Sequence, residues 1–161
     1  MNPGRILALV LIAGLCGCGK KEELTPSEKM AVPREACVAD IEQTILKIVH
    51  DTKDWEYASS RIYLQPDIDG DSVHDAILLT TFGHGNFSRQ ELFVCLTSSP
   101  HHVMHLEVGQ WRVRIADQMK VIDGKIVITG KKYGEQDASC CPSLTYTSTF
   151  AVTAGRIQET P

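Results

Sequence analysis

The pattern of apolar positions changes character once along the chain. In residues 34–52, apolar side chains recur every three or four positions, at Val38, Ile41, Ile45 and Ile48. This spacing places them on one stripe and predicts an amphipathic helix that packs on another element. After residue 52 the helical period ends, and apolar and polar residues alternate as they do in β-strands.

Seven later segments have the pattern of strands. The first is centred on Ile62 and Leu64. The other six span residues 76–82, 90–96, 102–108, 112–122, 125–129 and 144–152. Residues 76–82 are largely apolar, which is typical of a strand buried on both faces, whereas residues 144–152 alternate strictly. In residues 112–122 we expect Val113, Ile115, Met119 and Val121 to share the apolar face.

Asp123-Gly124 separates two of these alternating segments, and such a pair is the strongest short signal for a tight hairpin. The whole pattern predicts an α+β fold. One N-terminal amphipathic helix packs on a twisted, mainly antiparallel sheet of six or seven strands. The pattern leaves open whether this sheet curls into a barrel.

The first residues predict an export signal. Arg5 precedes an apolar run of about 10 residues, whereas a helix that spans a bilayer needs roughly 20. Leu15-Cys16-Gly17-Cys18 then resembles the bacterial lipobox. We expect residues 1–17 to be a signal peptide and Cys18 to carry fatty-acyl chains such as palmitate, anchoring the protein in a membrane.

Two neighbouring residues refine this expectation. Cys16 fits the lipobox less well, because Leu15 would occupy the position of a small residue. Gly19 is not the aspartate that marks inner-membrane retention, so we expect the outer membrane, facing the periplasm, if the host has two membranes. The alternative is an ordinary cleaved signal and a protein without a lipid anchor.

Residues 18–33 are polar, contain proline and lack apolar periodicity, so we expect a flexible tether. Residues 34–161 then form a single globular, sheet-rich domain of ordinary size. Removing residues 1–17 takes away Arg5 and no acidic residue, which leaves 15 basic and 20 acidic residues and a net charge of −5. This balance argues against nucleic acid as a partner.

Four aspartates fall within nine residues between the first two predicted strands, at Asp67, Asp69, Asp71 and Asp75. Calcium loops deliver carboxylates at positions one, three and five, a backbone carbonyl at seven and a further ligand at nine. Val73 occupies position seven. The segment resembles the calcium loops of FG-GAP and similar β-propeller repeats, and that resemblance implies a calcium site between two strands.

Two departures exclude a complete EF-hand. Ser72 stands where that loop has glycine, and Leu78 stands where it has a bidentate glutamate. The alternative is a solvated turn in which aspartates accept hydrogen bonds from local backbone amides. Because close carboxylates repel one another, we keep a structural cation as a hypothesis, and the oxygen-only ligands favour calcium.

Four cysteines follow the anchor: Cys37, Cys95, Cys140 and Cys141. Four cysteines permit three pairings, and spacing does not choose among them. We favour structural disulfides in which Cys140 and Cys141 reach Cys37 and Cys95, stapling the helix and the last strand to the sheet. The alternatives are a bond between the adjacent cysteines, which would be reducible and functional, and a metal or free-thiol role.

The chain contains no catalytic motif for a nucleophile, a zinc hydrolase, a phosphate loop or a dinucleotide site. We therefore expect a non-enzymatic protein. Residues 65–155, with the aspartate segment and the late "DASCCPS", resemble a functionally undefined group of bacterial exported proteins and lipoproteins. These share a DxDGD segment before an apolar strand and a late CCP motif.

That resemblance implies a cell-envelope location and no particular activity. The leading hypothesis is a lipid-anchored envelope protein whose domain binds or supports a protein partner. The alternatives are an envelope inhibitor or ligand-binding module and, less favoured, an enzyme that uses calcium.

Overall fold

The computed structural model describes residues 26–52, 56–85 and 87–161. The predicted signal peptide and Cys18 lie outside these ranges. One helix is followed by eight strands, namely α1 Pro26–Thr52, β1 Glu56–Leu64, β2 Ala76–His84, β3 Phe87–Cys95, β4 Val103–Gln110, β5 Arg114–Ile122, β6 Lys125–Lys132, β7 Leu144–Thr153 and β8 Arg156–Thr160. In this part of the chain no helix is both long and apolar enough to cross a membrane.

Helix α1 extends further towards the N-terminus than its apolar stripe predicted. Residues 26–33, which we assigned to the flexible tether, are helical. Pro26 is compatible with the first helical position, where its missing N–H has no intrahelical partner. Pro33 removes one internal hydrogen bond, but the glutamate, lysine, methionine and alanine of residues 28–31 favour a helix.

The eight strands follow one another in the sheet in chain order, and each neighbouring pair is antiparallel. The predicted combination of one helix with an antiparallel sheet is confirmed, but six or seven strands was too low a number. The Asp-Gly hairpin is also confirmed, because Asp123 and Gly124 have φ values of 49° and 69°. The missed strand is β8, which follows a similar turn at Ala154-Gly155.

The sheet divides into two four-stranded meanders. Strands β4 and β5 pair only through Gln110 and Arg114, whereas the pairs on either side are continuous. The first meander comprises β1–β4 and the second comprises β5–β8. Their apolar side chains form one buried cluster that includes Leu92 from the first meander and Ile128 and Phe150 from the second. The two meanders therefore pack against each other around a common core.

The opposite side of the first meander contributes a second cluster. Leu78 and Phe93 are buried together with Ile41 and Ile45 of α1. Successive residues of β2 and β3 thus point alternately into the two clusters. This arrangement explains the continuous apolar run at residues 76–79, because both faces of β2 are covered.

Strand β5 departs from the face that its alternation predicted. A bulge between Ala116 and Gln118 shifts its pairing with β6. Ala116 therefore lies on the buried side before the bulge and Met119 lies there after it. The prediction that Val113 shares the buried face was wrong, and 54% of Val113 is exposed.

The connections between strands gather at two ends of the molecule. At the aspartate end, defined by the β1–β2, β3–β4, β5–β6 and β7–β8 connections, a Cβ atom at Gly124 would lie 3.5 Å from the Ile68 carbonyl oxygen. At the cysteine end, defined by the β2–β3, β4–β5 and β6–β7 connections, the Trp111 amide donates to the Ser88 carbonyl over 2.7 Å. The two sequence motifs therefore lie at opposite ends.

Candidate metal centre

The loop between β1 and β2 brings three of the predicted ligands together at the aspartate end. One carboxylate oxygen from each of Asp67, Asp69 and Asp71 lies within 4.8 Å of the others. Oxygens that bind one calcium ion at about 2.3–2.6 Å stand at most about 5 Å apart. These three side chains could therefore hold a metal ion without a large rearrangement.

Backbone amides fix this arrangement. Asp67 accepts hydrogen bonds from the N–H groups of Gly70 and Ser72, at 2.7 and 2.9 Å. Asp71 accepts one from the N–H of Val73 at 2.7 Å. Each carboxylate oxygen keeps a second lone pair for another partner. The carboxylates are thus positioned by the local turn, as the alternative of a polar turn also predicted.

Ser72 takes the backbone conformation that glycine supplies in the EF-hand. Its φ is 68°, and that of Gly70 is 80°. The left-handed region is accessible to non-glycine residues as single positions, at a modest energetic cost. The serine therefore does not prevent the chain from turning at position six of the loop.

Asp69 links this loop to the next connection. Its Oδ2 accepts a hydrogen bond from the Ser98 hydroxyl at 2.6 Å, and its Oδ1 accepts one from the Asp71 N–H at 3.3 Å. Ser98 belongs to the segment between β3 and β4. An ion held by Asp69 would consequently be coupled to two connections.

Asp75 lies outside the group of three and has a different environment. Its side chain is fully buried. One oxygen accepts from the Ile68 N–H at 2.8 Å, and the other accepts from the N–H and the hydroxyl of Thr97, at 2.9 and 3.3 Å. Burial raises the pKa of Asp75, while the donated N–H bonds oppose this shift. Its geometry is that of a loop anchor.

Val73 and Asp75 were also predicted as ligands, but neither belongs to the group of three clustered carboxylates. The Val73 amide donates to Asp71, and its carbonyl as the ligand at position seven stays a prediction. The Asp75 N–H donates to the Pro66 carbonyl at 2.7 Å, which closes the loop at its base. The buried carboxylate of Asp75 therefore lies at the base of the loop, and the carboxylates of Asp67, Asp69 and Asp71 remain accessible.

The cysteines form two disulfides, Cys37–Cys95 and Cys140–Cys141. The favoured pairing of Cys140 and Cys141 with the other two cysteines was wrong, and the adjacent bond that we kept as an alternative is present. The reason is topological. Cys95 ends β3 at the aspartate end, whereas Cys140 and Cys141 lie in the β6–β7 connection at the cysteine end.

A second polar cluster was not predicted from the sequence. Glu91 is 4% exposed and pairs with Arg89 at 2.8 Å and with His105 at 3.0 Å. The hydrogen bond to Glu91 raises the pKa of His105 despite its partial burial. A cleft of about 410 Å³ borders this network and the C-terminal part of α1. The sequence indicated this cluster only through Glu91, an acidic residue within a predicted apolar strand.

The chain matches no known family model, no curated protein and no solved structure. Its functional assignment therefore depends on the residues just described.

Proposed function

We propose that this chain is a lipid-anchored cell-envelope protein whose sheet domain binds calcium at the aspartate end and serves as a non-enzymatic binding or structural module. The observation that carries the proposal is the convergence of Asp67, Asp69 and Asp71 on one point. Cys18 supplies the membrane anchor in this account. Helix α1 packs across the first meander and is held there by the Cys37–Cys95 bond.

The ligands support calcium over softer or smaller ions. All three clustered side chains offer carboxylate oxygen, which hard cations prefer over the nitrogen and sulfur ligands of zinc sites. Three carboxylates supply between three and six oxygens, and the Val73 carbonyl with water completes a shell of six to eight. Magnesium requires a tighter octahedron and retains water, so it is the weaker competitor at this loop.

A structural role follows from the position of the loop. Bound calcium would offset two of the three neighbouring negative charges and would tie the β1–β2 connection to the β3–β4 connection through Asp69 and Ser98. The domain would then present one rigid end to a protein partner in the envelope. The proposal assigns Asp67, Asp69 and Asp71 to metal binding and assigns no reaction to them.

Calorimetric titration of the purified domain with calcium tests the metal site. We expect one ion per chain, with an affinity in the range of extracellular modules, at Kd values of about 0.1–1 mM. Asp71→Asn replaces a charged carboxylate ligand with a neutral amide that keeps one oxygen, and it should weaken binding by at least about tenfold. Glu135→Gln, which removes an exposed charge at the cysteine end, is the matched control and should bind calcium as the unaltered protein does. Absence of a saturable heat would refute the site.

The anchor and the partner require separate experiments. Cys18→Ala should abolish incorporation of labelled palmitate and release the protein from the membrane fraction. Retention of label in that variant would refute Cys18 as the lipidated residue. Cross-linking in intact envelopes, with and without chelator, should give a calcium-dependent protein adduct. An adduct pattern that is the same with and without chelator, and the same in Asp71→Asn, would show that partner binding does not depend on the calcium loop.

A further inference from the structure

The disulfide in the β6–β7 connection differs from a structural staple in its position. Cys140 and Cys141 are adjacent in the chain, and both are exposed. A disulfide stabilises a fold largely by closing a loop of the unfolded chain, and this effect grows with loop length. The Cys37–Cys95 bond joins residues 58 positions apart, whereas the adjacent bond closes no intervening segment. Its contribution to folding is correspondingly small.

The loop around this bond is held by other interactions. Asp137 Oδ2 accepts hydrogen bonds from the N–H groups of Gly134 and Ser143, at 2.7 and 2.8 Å. These two bonds lower the pKa of Asp137 and join its carboxylate to both sides of the loop. The Tyr133 hydroxyl donates to the Ser139 carbonyl at 2.9 Å. None of these contacts uses a sulfur atom, so the loop can keep its shape when the bond opens.

An arginine contacts the residue that precedes Cys140. The Arg112 guanidinium stands 4.8 Å from the centroid of the Trp111 ring and donates a hydrogen bond to the Ser139 hydroxyl, one residue before Cys140. Phe87 packs edge-on against the same indole at 4.9 Å. Positive charge near a cysteine favours the thiolate, which is the leaving group when a disulfide is attacked. Arg112 therefore places a positive charge beside the residue that precedes Cys140.

We propose that Cys140–Cys141 is a thiol–disulfide exchange site that accepts two electrons from a dithiol. This inference goes beyond the binding or structural role and does not depend on the calcium loop. A donor thiolate attacks the sulfur of one cysteine, a mixed disulfide forms, and the other cysteine leaves as a thiolate. The second donor thiolate then attacks the donor sulfur of the mixed disulfide. The donor ends as a disulfide, and both cysteines end as thiols after taking up the two donor protons.

Native thiol labelling tests the proposal on the full oxidised chain. The protein is exposed to reduced dithiothreitol, alkylated and analysed by peptide mass spectrometry. We expect Cys140 and Cys141 to be alkylated at least about tenfold faster than Cys37 and Cys95, because exposed disulfides are the labile ones. The melting temperature should fall by no more than about 5 °C when only the adjacent bond is open.

Three comparisons sharpen the result. The double variant Cys140→Ser/Cys141→Ser should fold with a similar melting temperature and release no thiol under the same conditions. Arg112→Gln should slow the reduction about threefold or more, whereas Arg156→Gln at the aspartate end should leave the rate unchanged. Glutathione, which carries one thiol, should give little net reduction, because the neighbouring cysteine expels it from the mixed disulfide.

Specific outcomes would overturn the proposal. One is resistance of Cys140–Cys141 until Cys37–Cys95 also reacts. Another is unfolding of the protein by reduction of the adjacent bond or by the double serine change, which would make this bond structural. An unchanged rate in Arg112→Gln would remove the guanidinium from the mechanism, and equally complete reduction by glutathione would remove the preference for a dithiol.

Discussion

Replacing the buried carboxylate of Asp75 gives the sharpest test of how the aspartate end is held together. One Asp75 oxygen accepts from the Ile68 N–H, and the other accepts from the N–H and hydroxyl of Thr97. In Asp75→Asn the amide has one oxygen and one NH₂ group. Whichever way the amide turns, its NH₂ group faces one of the two backbone N–H groups. Both groups are donors, so this backbone N–H loses its acceptor.

The magnitude follows from the groups left without partners. One unpaired N–H in Asp75→Asn costs about 1–3 kcal/mol, and relief from burying a charge offsets part of this, so we expect a loss of about 1–2 kcal/mol. Asp75→Ala leaves both backbone N–H groups and the Thr97 hydroxyl unpaired, and we expect about 2–5 kcal/mol. Asp71→Asn is the control, because its hydrogen bond to the Val73 N–H is exposed, and it should cost no more than about 0.5 kcal/mol.

Urea unfolding in the presence of chelator measures all three variants without a contribution from metal. The expected order of unfolding free energy is the unaltered protein and Asp71→Asn together, then Asp75→Asn, then Asp75→Ala. If both Asp75 variants unfold at the same urea concentration as Asp71→Asn, the carboxylate does not anchor the loop.

Two further predictions concern the helix-facing side of the first meander. Because Glu91 raises the pKa of His105, protonated His105 stabilises the fold below its ordinary pKa, and this stability is lost as the pH rises through the raised value. His105→Gln should therefore flatten the decline in unfolding free energy as the pH rises above the ordinary histidine pKa, by less than about 1 kcal/mol because the imidazole is nearly half exposed. An equal decline in both proteins would contradict this. Cys37→Ala/Cys95→Ala should lower the unfolding free energy by about 4 kcal/mol, measured by urea unfolding, whereas a loss below about 1 kcal/mol would show that this bond is dispensable.

The fold was predictable wherever the spacing of apolar residues stayed constant along a segment. Ile41 and Ile45 lie on the buried stripe of α1, and the run at 76–79 lies in a strand covered on both faces, because burial imposes those periods directly. Strand β8 was missed because Ala154 adopts a left-handed turn conformation that its residue type does not signal. The face of β5 was misassigned because a bulge near Ala116 changes the period without any marker in the sequence.

The candidate site was predictable only in its local part. The alternate spacing of Asp67, Asp69 and Asp71 already indicated a shared centre, because a single tight turn brings such residues together. The role of Asp75 depends on Thr97, which is 22 positions away, and local patterns do not report contacts at that distance. The prediction of the disulfide pairing failed for the same reason, since the pairing is decided by the end of the molecule at which each connection lies.

A thermal melt in calcium and in chelator measures both whether the aspartate loop binds calcium and whether the bound ion stabilises the domain. At about 10 mM calcium and a Kd of about 0.1 mM, binding adds about 2.7 kcal/mol, or roughly 8–13 °C in melting temperature. We expect this rise in the unaltered protein and in Glu135→Gln, and no more than about half of it in Asp71→Asn, whose binding is at least about tenfold weaker. Equal melting temperatures in calcium and chelator, or the same rise in Asp71→Asn, would contradict stabilisation of the domain by calcium at this loop.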